Sequence, residues 1–101
     1  MLVRCLAMEW GAAGIRVNAI SPGPIEGTEG VQRLAPTDAA KQEWVSKIAL
    51  RRLGKGSEIA DVAAFLCSPQ ASYITGTILD SDGGSQLGDS SGDYLIAPAR
   101  R

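Results

Sequence analysis

The segment from Asn18 to Gly30 contains the residues best suited to bind a ligand through main-chain atoms. Pro22 and Pro24 bracket Gly23; each proline fixes its own φ, and the glycine has no side chain to block close approach. Ile25 follows and can offer its N–H. The loop is therefore a candidate for holding a ligand against bare backbone. The motif alone leaves open a simple turn after a strand.

Side chains that commonly carry acid–base or metal chemistry are sparse. The 101 residues include no histidine, and the two cysteines, Cys5 and Cys67, do not form a Cys-x-x-Cys pair. A zinc site of the usual kinds is therefore not expected. Both cysteines lie among helix-like apolar residues, which favours buried, reduced thiols. Glu26 and Glu29 are expected to be solvated rather than catalytic, and we assign no catalytic residue to this chain.

Composition indicates one small globular domain and excludes two classes of partner. The chain is 45% hydrophobic and 21% charged, with a net charge of −1. It has no basic block, so a nucleic-acid partner is not expected. No run approaches the roughly 20 apolar residues of a membrane span, so a membrane partner is not expected either.

Hydrophobic periodicity predicts the elements that position the loop. The first expected helix lies in "LVRCLAMEWG", directly after Met1, and ends at Gly11 and Gly14. The others cover residues 37–50, capped by Thr37 or Asp38, and 57–67. The expected strands cover residues 15–20 and 77–82. The order α, β, long loop, α, α, β, tail indicates an α/β fold with a buried parallel strand. Two strands do not make a stable sheet, so further strands are expected beside the first one.

Three stretches together resemble the C-terminal half of short-chain dehydrogenases/reductases: "LAMEWGAAGIRVNAISPGPI", "RLGKGSEIADVAAFLCSPQASYITGTIL" and "DGG". The threonine of the loop, Thr28, comes one position later than in many members, and "PGPIEGTEG" is most similar to the 2,4-dienoyl-CoA reductase branch. The resemblance implies the C-terminal portion of a Rossmann-like doubly wound parallel sheet over residues 1–84, incomplete as a domain. Residues 85–101 would be a C-terminal tail with a small apolar group at 94–97.

The resemblance also implies cofactor contacts. Pro22, Gly23, Pro24 and Ile25 would line the nicotinamide of NADP(H), with NAD(H) as the alternative, and the Ile25 side chain would shield one ring face. Thr28 would bond to the carboxamide or to a pyrophosphate oxygen. This loop follows a strand, and ligands of open α/β sheets bind beyond the carboxyl ends of strands.

A substrate flap is implied after the loop. Glu29, Leu34 and Trp44 would face an acyl-CoA substrate, although ordinary packing remains open for them. The implied function is reduction of unsaturated fatty acyl-CoA, as in 2,4-dienoyl-CoA reductases of fatty-acid β-oxidation, by a homo-oligomer when full length, in an intracellular compartment such as the cytoplasm or peroxisome. The alternatives are another member of the family, of the 3-ketoacyl carrier-protein reductase or sugar dehydrogenase type, or a non-catalytic fragment that docks on full-length subunits.

The residues of the family that the chain does not contain lead to a further expectation. The resemblance implies a glycine-rich phosphate loop and a catalytic tyrosine, or its substitute, with a lysine four positions later. The sequence has no such loop, and neither Tyr73 nor Tyr94 is followed by that lysine. We therefore expect a fragment, or a truncated or internally started product, that transfers no hydride alone. Arg16, Asn18 and Asp82 are expected to be structural, through hydrogen bonds to neighbouring loops and turns.

Overall fold

The computed structural model describes residues 1–91, which form two compact units. The first contains Met1–Pro22 and Gly56–Ser81, and the second contains Gly23–Lys55 and the described part of Asp82–Arg101. The apolar group expected at residues 94–97 lies outside the described residues. The helices and strands, in chain order, are α1 (Leu2–Trp10), β1 (Ala19–Pro22), α2 (Glu29–Leu34), α3 (Asp38–Lys47), α4 (Gly56–Leu66) and β2 (Ile78–Ser81). Short 3-10 turns cover Gly11–Ala13, Pro69–Ala71 and Ser85–Leu87.

The first unit contains a two-stranded parallel sheet. β1 pairs with β2 in parallel register, from Ala19 opposite Ile78 to Pro22 opposite Ser81, and α4 contacts β1. Parallel strands cannot be joined by a hairpin and need a long crossover connection, here the chain from Gly23 to Thr77. The predicted α/β class, with two parallel strands, is confirmed.

β1 begins later than the apolar run predicts. The sequence placed this strand at residues 15–20, and the structure places it at Ala19–Pro22. Side chains, rather than a regular ladder, bind the residues before it: the Arg16 guanidinium donates to the carbonyls of Ile74, at 3.1 Å, and Ser68, at 3.3 Å. The Val17 N–H donates to the Thr75 hydroxyl at 3.0 Å. The predicted structural role of Arg16 is thereby confirmed.

The Asn18 side chain joins the segment before β1 to the segment before β2 through hydrogen bonds. Its amide nitrogen donates to the Ile74 carbonyl at 3.1 Å, and its amide oxygen accepts from the Thr77 N–H at 3.1 Å. The next backbone bond, from the Ala19 N–H to the Thr77 carbonyl at 2.9 Å, starts the strand pairing. The amide of Asn18 therefore joins the segments that precede the two strands, which confirms its predicted structural role.

Replacing Asn18 with alanine is expected to lower the free energy of unfolding by about 2 kcal/mol, because the part-buried Thr77 N–H loses its acceptor. Asn18→Asp keeps an acceptor for Thr77 and loses the donor to Ile74, so we expect a smaller loss. Urea titration followed by circular dichroism measures both variants. If both variants lose the same free energy of unfolding, the bond from Thr77 to Asn18 does not account for the stability that Asn18 contributes.

Few side chains of the first unit are buried. Its buried hydrophobic residues are Ala7, Leu66 and Ala71, two of which are alanines. Ile78 and Leu79 in β2 are 44% and 38% exposed, and since successive strand residues point to opposite faces, both faces of β2 are open to solvent. The prediction of buried thiols is wrong, because Cys5 and Cys67 are both exposed. Burial of either thiol requires another layer over α1 or α4, and no described element supplies one there.

The second unit holds α2 and α3. The Thr37 hydroxyl accepts from the Ala40 N–H at 3.1 Å, which confirms the predicted cap of α3. α3 ends at Lys47 rather than at residue 50, because Ile48 has extended backbone with ψ 135°. The buried hydrophobic residues of this unit are Val31, Ala35 and Ile48. None of the helices in the described part of the chain is long and apolar enough to cross a membrane.

Candidate functional site

The residues predicted to contact the nicotinamide lie on either side of the end of β1. Pro22 is the last residue of β1 and is opposite Ser81 in β2, so it belongs to the sheet rather than to the predicted loop. Gly23 to Thr28 follow in the second unit.

Gly23 is required by packing, whatever the loop binds. A Cβ at this position would lie 2.6 Å from the Asp82 Cα and Cβ atoms, and real Cβ atoms are essentially never found that close to such neighbours. Asp82 is held in turn by its own contacts: its carboxylate accepts from the N–H groups of Gly84, at 2.9 Å, and Gln86, at 3.2 Å. The predicted turn-orienting role of Asp82 is confirmed.

Gly54 fixes the other side of the loop. Its N–H donates to the Pro24 carbonyl at 3.0 Å, and its carbonyl accepts from the Glu26 N–H at 2.8 Å, which makes a parallel bridge between Ile25 and Gly54. A Cβ on Gly54 would lie 2.9 Å from the Ile25 Cδ1 atom. Within the second unit, the loop is therefore held by Asp82 on one side and by Gly54 on another.

The bridge to Gly54 also determines where the main-chain groups of Ile25 point. In a parallel bridge of this kind the hydrogen bonds go to the neighbours of Ile25, so its own N–H and C=O point away from Gly54. The Ile25 carbonyl accepts from the Thr28 hydroxyl at 2.8 Å. Among the described residues the Ile25 N–H has no hydrogen-bond partner. The contact of this N–H with a carboxamide oxygen stays a prediction.

The Thr28 hydroxyl is already engaged within the chain. It donates to the Ile25 carbonyl and accepts from the Val31 N–H at 3.3 Å, as the N-cap of α2. A ligand that accepted a hydrogen bond from Thr28 would have to replace the bond to Ile25. The contact of Thr28 with the cofactor stays a prediction, and capping α2 is the role the geometry gives this residue.

The residues predicted to bind substrate lie on two helices. Glu29 in α2 forms an exposed ion pair with Arg33 at 2.5 Å, and Leu34 at the end of the same helix is 75% exposed. Trp44 in α3 is half-buried. Glu29 is thus solvated and charge-paired, and Leu34 and Trp44 are apolar side chains with part of their surface exposed. The contact of these three residues with a substrate stays a prediction.

A separate cavity lies wholly within the first unit. Its volume is about 600 Å³, and it is lined by Arg16, Asn18, Ala19 and Ile20 from one segment and Leu66 and Cys67 from another. None of the residues predicted to bind cofactor or substrate lines it. The Arg16 guanidinium already donates to two carbonyls. We therefore do not assign this cavity to a ligand.

Sequence reasoning did not identify Gly54. It lies in "RLGKG", which the periodicity marks only as a loop, and no local signal indicates that its N–H and C=O pair with Pro24 and Glu26. The one feature of the sequence that could have indicated its role is that it is a glycine, because the missing Cβ leaves room for the Ile25 side chain.

Comparison with known proteins gives consistent matches over this region. Residues 1–86 match the family model described as Enoyl-(Acyl carrier protein) reductase. The chain is 49% identical over 86 residues to the peroxisomal 2,4-dienoyl-CoA reductase of Pongo abelii, covering 85% of this chain and 30% of that protein. It is 49% identical over 87 residues to the probable 2,4-dienoyl-CoA reductase of Bacillus subtilis (strain 168), covering 85% of this chain and 34% of that protein. The galactitol 2-dehydrogenase (L-tagatose-forming) of Cereibacter sphaeroides is 45% identical over 83 residues, covering 82% of this chain and 32% of that protein.

Solved structures share the fold. A 4-hydroxyisoleucine dehydrogenase complexed with NADH superimposes with a TM-score of 0.78 at 36% identity, covering 87% of this chain and 36% of that one. A structure from Agrobacterium tumefaciens with bound NADP, assigned as a candidate 2-deoxy-D-gluconate 3-dehydrogenase, gives a TM-score of 0.76 at 42% identity, covering 85% of this chain and 35% of that one. The chain thus spans about a third of the length of the proteins it matches.

Proposed function

Because the chain belongs to the short-chain dehydrogenase/reductase family, we propose that it supplies part of the cofactor and substrate sites of an NADP(H)-dependent reductase of unsaturated fatty acyl-CoA. The observation that carries this proposal is that relatives described as 2,4-dienoyl-CoA reductases are up to 49% identical to it. The proposed division of the chain remains residues 1–84 as part of the Rossmann-like domain and 85–101 as a tail.

The nicotinamide contact rests on the main chain of the loop. Gly23 and Gly54 hold the loop in one conformation without side chains, and the Ile25 N–H stays available to donate to a carboxamide oxygen. The Ile25 side chain would cover one face of the ring and keep water from it. Pro22 and Pro24, with no N–H to satisfy, would stiffen the approach. The cofactor, when bound, supplies the hydride.

The substrate contact is proposed for α2 and α3. Leu34 and Trp44 would pack against the acyl chain, and exposed Glu29 would lie at the rim of the site. Burial of an acyl chain against an indole side chain contributes about 2 kcal/mol, enough to raise the affinity for substrate appreciably. The proton donor is not assigned to this chain.

NADP(H) is proposed over NAD(H) from the resemblance to the dienoyl-CoA reductase branch. The structural neighbours contain either NADH or NADP, so they support a nicotinamide cofactor of either kind. The full-length protein is proposed to be a homo-oligomer. Asp80, an exposed carboxylate in β2, argues against an apolar subunit contact at that strand.

A segment exchange tests the proposal. Residues 1–87 of this chain replace the matching part of the Bacillus subtilis protein, and NADPH oxidation is followed with a 2,4-dienoyl-CoA thioester. We expect the hybrid to retain activity within about tenfold of its parent, while the 101-residue chain alone gives none. A hybrid that folds and binds NADPH but does not oxidise it with this thioester would contradict the proposed substrate.

The hybrid also tests Trp44, with the other tryptophan as the matched control. Trp44→Ala is expected to raise the KM for the thioester about tenfold because it removes apolar contact with the acyl chain. Trp10→Ala, on α1 and 41% exposed, is expected to leave that KM unchanged. Equal effects of the two substitutions would remove the reason to place the acyl chain against α3.

A second candidate function is a sugar alcohol dehydrogenase. It is favoured by the 45% identity with a galactitol 2-dehydrogenase. The same hybrid, assayed for NAD(P) reduction with galactitol, separates the two, since activity with the polyol and not with the thioester would select this alternative.

A further inference from the structure

The C-terminal end of α3 is bonded to a residue far along the chain. The Ser90 N–H donates to the Lys47 carbonyl at 3.1 Å, and the Ser90 hydroxyl donates to the same carbonyl at 3.0 Å. Lys47 is the last residue of α3, so its carbonyl has no partner within the helix. Ser90 therefore satisfies a helix-end acceptor that the helix itself cannot.

Arg51 completes this arrangement. Its guanidinium donates to the Ile48 carbonyl at 2.6 Å, to the Ser90 hydroxyl oxygen at 2.5 Å and to the Ser90 carbonyl at 2.6 Å. Arg51 also has φ 59°, the left-handed region that side chains with a Cβ rarely adopt. A residue in this conformation persists where its surroundings over-determine it, and the three bonds of the guanidinium do so.

α3 depends on its ends because its sides are weakly packed. None of its residues is buried. The Thr37 side chain caps its first turn, and Ser90 with Arg51 caps its last. The positive guanidinium at the C-terminal end also complements the helix dipole. Removal of these bonds would free the second half of α3, which carries Trp44.

We propose that Arg51 and Ser90 form a latch that holds α3 in place, and that Arg51 is the positioning residue for Trp44. The second clause rests on the proposed function, since it is there that Trp44 meets the acyl chain. The latch itself rests only on the contacts between Arg51, Ser90 and the two carbonyls at the end of α3.

Charged side chains of both signs lie near the latch. The pKa of Asp89 is held below its ordinary value, first by hydrogen bonds from the Ser91 hydroxyl and N–H, and further by the positive charges of Lys47 and Arg51. Asp89 is therefore an anion at neutral pH, next to the basic end of α3.

Amide hydrogen exchange on the full chain tests the latch. Ser90→Ala removes the hydroxyl bonds and Arg51→Gln removes the guanidinium, so we expect the amides of residues 44–48 to exchange about tenfold faster in each. Ser91→Ala is the matched control: its hydroxyl bonds Asp89 and not α3, and exchange in α3 should stay within twofold of the parent chain.

Three outcomes would overturn the proposal. They are unchanged exchange at residues 44–48 in both variants, acceleration as large in Ser91→Ala, and amides of α3 that are already unprotected in the parent chain. Amides of α1 show whether a variant has unfolded altogether. If Arg51→Gln unfolds, Arg51→Lys, which keeps the charge but not the forked geometry, replaces it and must still accelerate exchange.

The link to Trp44 is measured separately. In Trp10→Phe chains, the fluorescence anisotropy of Trp44 should fall when Ser90 or Arg51 is replaced. Failure of the proposed function would leave this result unchanged, whereas failure of the latch would abolish it whatever the protein binds.

In a hybrid enzyme extended to residues 1–91 of this chain, so that Ser90 is included, Arg51→Gln should raise the KM for the thioester about threefold and leave kcat unchanged. An effect on kcat alone would contradict the positioning role.

Discussion

Replacing Gly23 with alanine is expected to lower the free energy of unfolding of the second unit by about 3 kcal/mol, near the upper end of overpacking costs. The new methyl group would lie 2.6 Å from two atoms of Asp82, one of which is its Cα. Relief requires a shift of backbone, because a main-chain atom cannot rotate aside as a flexible side chain does. The shift would also pull the Asp82 carboxylate from the N–H groups of Gly84 and Gln86.

The measurement uses the tryptophan of the second unit. In a Trp10→Phe background, urea unfolding followed by Trp44 fluorescence reports on this unit, and amide exchange at Glu26 and Gly54 reports on the loop. Gly30→Ala is the control: a Cβ there meets nothing within 4 Å, and alanine in α2 should stabilise the helix by about 1 kcal/mol. If Gly23→Ala is as stable as its parent, the close approach of Asp82 is not a real constraint on this loop.

Features determined by short stretches of sequence were predicted well. Thr37 caps α3 through a bond to a residue three positions later, and Gly14 takes the left-handed conformation with φ 82° at the end of the turn that follows α1. Only a few neighbouring residues decide such features. Gly11, predicted to share this role, has φ −58° and simply continues the chain in helical conformation.

Features that depend on distant residues were predicted poorly. The expected buried thiols are exposed because burial of Cys5 or Cys67 depends on what packs over α1 or α4, not on the neighbours in sequence. β1 is displaced because Arg16 and Asn18 bond to carbonyls more than 50 positions away. α2 was missed since it has six residues with a glycine among them, too few to give a periodic pattern.

The candidate site shows the same division. Its location came from a resemblance of motifs, and the reason for Gly23 looked like ligand access. The structure gives this glycine a packing reason, its contact with Asp82, and gives Gly54 a role that no motif suggested. Both glycines fix the same loop, and among the described residues the Ile25 N–H of that loop has no hydrogen-bond partner. Neither fact could be predicted from the sequence.

Ile48→Ala is expected to have an effect of similar size, about 3 kcal/mol of lost stability in the second unit. Ile48 is 1% exposed and is the largest fully buried side chain among the described residues. Its Cγ2 atom lies 3.3 Å from where a Cβ on Gly83 would stand, so it packs under the turn that follows Asp82. A cavity there would loosen Gly83 and Gly84, and with them the contact of Asp82 with Gly23.

Leu50→Ala is the matched control for this variant. Leu50 is close to Gly83 as well, but its side chain is 63% exposed, so truncation should cost well under 1 kcal/mol. Urea unfolding with Trp44 as the probe measures both. Ile48→Val, which removes one methylene, should fall between them at about 1 kcal/mol. If Leu50→Ala destabilises the unit as much as Ile48→Ala, exposed side chains rather than the buried Ile48 support the turn at Gly83 and Gly84. The contact of Asp82 with Gly23 would then need another explanation.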